Sequence, residues 1–157
     1  MSGYKVERSI TVNAPSHDVH GMVDDFHHWP LWSPWEDLDP DLQRTYTGPE
    51  KGVGAHYSWS GNRKAGQGSM EITGSTPEGI DITVEFLKPN RATNQTRLSF
   101  EPSGSGTEVR WVMTGEHKGL MGFFGRLMSM DRMIGPDFEK GLARLKAVAE
   151  ESDAPPG

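Results

Sequence analysis

No cysteine occurs among the 157 residues. Disulfides, thiolate metal sites, iron–sulfur clusters and cysteine nucleophiles are therefore excluded. Long apolar runs are missing as well. Nothing approaches the ~18–20 residues of a membrane-spanning helix, and the start has no apolar stretch of the ~7–15 residues a secretory signal needs. The expectation is a soluble, cytoplasmic protein without stable membrane insertion. Basic charge is in short supply: Lys and Arg total 16 against 22 Asp and Glu, a net charge of -6. A nucleic-acid partner demands a basic face, so none is expected. Apolar residues are scarce too, at 34%, against a usual ~45–50% counted with glycine.

What is present is unevenly placed. The chain has 19 Gly, 11 Pro, 5 Trp, 6 Phe and 8 Met. Its length suits one domain, expected over residues 1–150 with a polar, disordered tail at 151–157. Tyr4 to Val12 alternates as a half-buried strand, with Val6, Ile10 and Val12 on one face and Arg8 intruding among them. Val19, Met22, Val23 and Phe26 share one face of a helix after Pro15. That helix should stop near Trp29, because Pro30 disfavours helical geometry just before itself. Trp29-Pro30-Leu31-Trp32-Ser33-Pro34-Trp35 packs three Trp and two Pro into seven residues, a stiff connector.

From residue 43 to residue 118 the pattern is strand, turn, strand. The runs Gln43–Thr47, Gly52–Trp59, Gly68–Gly74, Gly79–Leu87, Thr93–Phe100 and Thr107–Gly115 alternate, separated by hairpin-type turns. Each puts apolar residues on one face, so the sheet should have one covered and one wet side. Gly119 onward is rich in Leu, Met and Phe. Phe138, Leu142, Leu145 and Val148 then recur at helical spacing, the helix that covers the sheet. The class is α+β with an antiparallel sheet.

Asp25-Phe26 with Trp29-Pro30-Leu31-Trp32-Ser33-Pro34-Trp35-Glu36 resembles the entry motif of bacterial START-like proteins. Tyr57-Ser58-Trp59-Ser60-Gly61-Asn62 and Gly135-Pro136-Asp137-Phe138-Glu139-Lys140-Gly141-Leu142 resemble two further motifs of the same superfamily. This is the polyketide cyclase/dehydrase and lipid-transport superfamily, also called SRPBCC, and the likeness covers residues 4 to 150. It implies the helix-grip fold: seven antiparallel strands wrapped around a long C-terminal helix. Short helices at 16–28 and about 32–38 close one end, and an apolar cavity lies between sheet and helix.

The inner strand face supplies the candidate ligand residues: Tyr57, Trp59, Met70, Ile72, Ile82 and Val84, then Phe86, Leu98, Phe100, Trp111 and Met113. Aromatic and methionine surfaces adapt to varied apolar ligands. The bland alternative is a filled core. Trp32 and Trp35 are candidates for a gate at the cavity lip, or for a plug. Phe124 and Met128 lie on the expected lid and helix side. Glu36, His56 and Tyr57 are the candidate acid–base groups, with Glu36 beside several indoles. His17 and His20 lie off the apolar stripe, read as solvated and complete no metal site, and no cofactor is expected. The leading expectation is binding or carriage of a hydrophobic or amphipathic small molecule: a lipid, an aromatic polyketide or an isoprenoid-like compound. The alternatives are a cyclase/dehydratase-type enzyme, or an interaction or stress-related domain with a vestigial cavity.

Overall fold

The alternating runs become seven antiparallel strands in a computed structural model of the chain, which describes residues 3–33, 41–62, 66–88, 92–116 and 130–152. The strands are β1 (Gly3–Val12), β2 (Gln43–Thr47), β3 (His56–Ser60), β4 (Gln67–Thr76), β5 (Gly79–Lys88), β6 (Ala92–Ser103) and β7 (Gly106–Glu116). Helix α1 (Ser16–Asp24) and a 3₁₀ turn (Phe26–Leu31) follow β1, and helix α2 (Met130–Ser152) ends the fold. The sheet order is β1-β7-β6-β5-β4-β3-β2, a meander whose first strand pairs with its last. Both ends of the chain's fold thereby meet at one edge, where α2 packs along β1.

The inner face carries the core: Val6, Ile72, Ile82, Leu98 and Trp111 are buried together with Phe138, Leu142 and Leu145 of α2. On the outer face Arg97 donates to both oxygens of Asp81 at 2.9 Å, an exposed cross-strand pair. Ala149, not Val148, completes the helix stripe, because it stands four residues after Leu145.

Four readings are corrected. The strand expected from Gly52 begins only at His56. Gly52 and Gly54 take φ of +78° and +95°, which turns the chain and leaves Val53 58% exposed. The first helix ends at Asp24, not residue 28, because Asp25 is extended and its side chain accepts from the His27 backbone N–H to start the 3₁₀ turn. Pro30 sits inside that turn, and Trp29 O accepts from both Trp32 N and Ser33 N. Pro102, expected in a turn, extends β6 to Ser103. His20 is not solvated: its ring packs edge-on against Phe100 at 5.7 Å, and its Nε2 lies 3.4 Å from Ser75 Oγ.

Arg8, which broke the alternation of β1, crosses to α2. Its Nε donates to Glu139 Oε2 at 3.1 Å and its Nη1 to Glu7 O at 2.8 Å. A Cβ at Gly135 would fall 2.1 Å from Arg8 Nη2, so the glycine is the clearance for this arginine. On the other half of the sheet, Gly68 lies under the Trp59 indole. A Cβ there would meet Glu85 O at 2.4 Å and Trp59 Cη2 at 2.6 Å. Gly21, exposed on α1, has nothing within 4 Å.

These sites predict opposite responses to one methyl group. Gly68→Ala is expected to cost about 1–3 kcal/mol, because backbone must move. Gly21→Ala should add about 0.5–1 kcal/mol from helix propensity. Urea unfolding followed by tryptophan fluorescence measures both, and equal effects would show that Gly68 is not tightly packed.

Candidate functional site

The last four carbonyls of α1 have no partner within the helix. Here each one is met from outside. Gly21 O accepts from His28 Nδ1 at 3.0 Å, Met22 O from Trp32 Nε1 at 3.0 Å, Val23 O from Trp29 Nε1 at 2.9 Å, and Asp24 O from Gly52 N at 3.1 Å. The described part of the Trp-rich connector is thus the cap of α1, and the indole N–H groups of Trp29 and Trp32 are used there. The two indoles turn their rings inward. Trp29 and Trp32 sit 4.4 Å apart, and Trp32 meets Trp111 edge-on at 5.6 Å. Trp111 stacks on Phe138 of α2 at 4.1 Å and 6°. This half of the interior, under β7 and α2, is closed packing. Trp32 is fully buried and Trp111 is 1% exposed.

The other half differs. Rings continue along the inner face from Phe26 to Tyr57 at 5.9 Å, from Tyr57 to Trp59 at 6.1 Å, and from Trp59 to Phe86 at 5.7 Å. Trp59, Met70 and Phe86 are only half-buried. Tyr57, Ile72, Ile82, Val84, Leu98, Phe100 and Met113 are buried beside or between them. So the candidate ligand residues share one face, but they divide into a packed group around Trp111 and a less covered group around Trp59. Trp35, Glu36, Phe124, Met128 and the glycine-rich segment 119–125 lie outside the described residues.

Two polar side chains outside the candidate ligand set stand on this face. Asn94 and Thr96 of β6 are 3% and 5% exposed, and Thr96 Oγ1 lies 3.2 Å from Asn94 Oδ1. Asn94 aligns with Val84 of β5, and Thr96 with Ile82. Their positions alternate with Leu98 and Phe100, and that period was the available signal. Of the acid–base candidates, His56 faces away from Tyr57 by strand alternation, so the two do not form a pair.

The titratable group with the most built surroundings is one that was not chosen. Asp25 is 6% exposed. Its Oδ1 accepts from His27 N at 2.9 Å and pairs with His27 Nδ1 at 2.7 Å. Burial pushes its pKa up, but the His27 hydrogen bonds and the nearby His27 and His28 rings outweigh that and hold it below the ordinary carboxylate value. Among the described residues no group of three or more His, Asp or Glu is arranged to hold a metal ion, and no helix is long and apolar enough to cross a membrane.

Residues 4–150 match the model of the family described as polyketide cyclase/dehydrase and lipid transport. The chain belongs to this family. Several solved structures share the fold of this family member at low identity. A protein from Chromobacterium violaceum superposes with TM-score 0.66 at 14% identity, over 93% of this chain and 96% of that one. Ginseng major latex-like protein 151 from Panax ginseng gives TM-score 0.66 at 12% identity, over 94% and 97%. A protein in the dynemicin biosynthetic locus gives 0.63 at 16%, over 93% of this chain but 47% of that one. No curated protein matches the sequence. The α+β fold with its seven-stranded sheet and C-terminal helix is the one the motifs implied.

The Asp25–His27 contact carries a pH signature. With the folded pKa below the unfolded one, its stabilisation is full above the ordinary carboxylate range and is lost as pH falls through the folded value. Asp25→Asn should therefore be less stable than wild type at pH 7, with the gap closing below about pH 4. Unfolding free energies measured against pH check this, and a gap that persists unchanged into acid would refute it.

Proposed function

We propose that the protein binds a hydrophobic or amphipathic small molecule on the inner face of the sheet, over Trp59, Met70 and Phe86. The observation that carries this reading is the uneven burial of one aromatic face. Residues near Trp111 are sealed by α2, whereas Trp59, Met70 and Phe86 retain exposure despite lying on the same side. Burying that surface against a ligand gains about 25 cal/mol per Å². Asn94 and Thr96 give the same face a polar pair that orients a ligand carrying one hydroxyl or carbonyl. Family membership supports hydrophobic-ligand binding in general, and the family description also includes cyclases. Carriage rather than turnover is favoured by the acid–base candidates, since His56 and Tyr57 stand on opposite faces of β3.

The test uses the apolar fluorophore 1-anilinonaphthalene-8-sulfonate and native mass spectrometry of protein purified from its host. Trp59→Ala should weaken fluorophore binding about ten-fold, ~1.4 kcal/mol. Glu36→Gln should leave it unchanged. Trp111→Ala should act on stability instead, at about 3–5 kcal/mol. Equal affinity in wild type and Trp59→Ala, with no ligand retained on purification, would overturn the proposal. Loss of turnover in Glu36→Gln would replace it with the cyclase reading.

A further inference from the structure

A hollow of about 280 Å³ opens at the β2 edge of the sheet, between the 3₁₀ turn and the β2–β3 connection. Its walls include Phe26, His27, Tyr46, Glu50 and His56. The volume is at the small end of the usual ~300–1,000 Å³ for ligand pockets. Two constraints fix its chemistry. The first is the state of His27. Asp25 is ionised and can only accept, so His27 Nδ1 is the donor in their 2.7 Å contact. In the neutral ring Nε2 is then an acceptor. The imidazole is further held by stacking on Tyr46 at 4.1 Å and 21°.

The second constraint is the charge of the lining. Pro49 has no N–H. The backbone amides of Gly52, Gly54 and Ala55 are spent on Asp24 O, Ile72 O and Gly52 O. The amides of His27 and His28 are spent on Asp25. Among the described residues no Lys or Arg lines the hollow. An anion would find no cationic fork among these lining residues. A cation, in contrast, meets the Glu50 carboxylate, the His27 Nε2 lone pair and the ring faces of Tyr46 and Phe26. Acceptors among aromatic rings are the surroundings that suit a cationic donor.

We infer that this hollow is a second binding site, distinct from the Trp59, Met70 and Phe86 surface, that takes a small protonated amine on an aromatic or apolar body. The ammonium sits between the Glu50 carboxylate and His27 Nε2, and the body lies against Tyr46 and Phe26. Asp25 is a positioning residue that fixes the His27 tautomer.

The test titrates benzylammonium, benzyl alcohol and benzoate separately into the protein at pH 8, by calorimetry and by the His27 Cε1–H resonance. Benzylammonium should bind at least ten-fold more tightly than benzoate, with benzyl alcohol between. Glu50→Gln, a change on an exposed loop, should weaken benzylammonium about five-fold or more. His27→Phe keeps a ring to stack on Tyr46 but removes the acceptor, and should weaken it similarly. Trp59→Ala should leave benzylammonium affinity unchanged while weakening the naphthalene fluorophore, which separates this site from the inner-face one. Benzoate binding as tightly as the amine, no binding of any probe, or benzylammonium binding that Trp59→Ala alone weakens would overturn the proposal.

Discussion

The open end of helix α1 organises this molecule. A helix of nine residues buried at its C-terminus must find partners for four carbonyls, at a cost of about 1–3 kcal/mol for each left unmade. The chain supplies His28, Trp32, Trp29 and Gly52 to them in turn. Three of those four donors are side chains of one short segment, so the segment cannot rotate or slide without uncapping the helix. Because two of the donors are indoles, capping also delivers two large rings into the core. The fourth donor, Gly52, ties the β2–β3 connection to the same helix end. The closed half of the interior and one wall of the edge hollow are therefore set by a single capping requirement.

Much of this was readable from residue order and part was not. Strand alternation located all seven strands, because a half-buried strand has a period of two whatever its partners are. The covered face was assigned correctly at Ile72, Ile82, Val84, Leu98 and Phe100. The failures have a common cause. Gly52, Gly54 and Asp25 act through backbone angles and one carboxylate contact, and alternation is blind to both. Arg8 was visible only as an irregularity. Its meaning depended on Gly135 and Glu139, more than a hundred residues away. Asn94 and Thr96 were hidden differently: their spacing was correct, but polarity kept them from being counted with the lining.

The two sheet edges are treated unequally. β1 is covered by α2: Lys146 donates to Thr11 O at 3.1 Å, and Glu150 accepts from Asn13 N at 2.7 Å. Lys146 and Glu150 also pair with each other. Such polar cover spends the strand's exposed groups and blocks edge-to-edge association. At β2, Tyr46 instead points its ring inward to His27 and Tyr57. That edge is short, with five residues, and carries the hollow.

A chain with 34% apolar residues can still build this interior because only one face of the sheet is covered. The apolar residues are then divided between two tasks. Around Trp111 and Phe138 they pack ring on ring. Around Trp59 they lie along a strand pair relieved by Gly68, with side chains left partly uncovered. Changes near Trp111 are paid in stability, because α2 loses its seat on the sheet. Changes at the Trp59 side chain alter shape at a surface that is only half-buried. A ligand site can diverge on the second surface while the first keeps the fold intact. Such a separation is compatible with a fold that solved structures share with this chain at 10–16% identity.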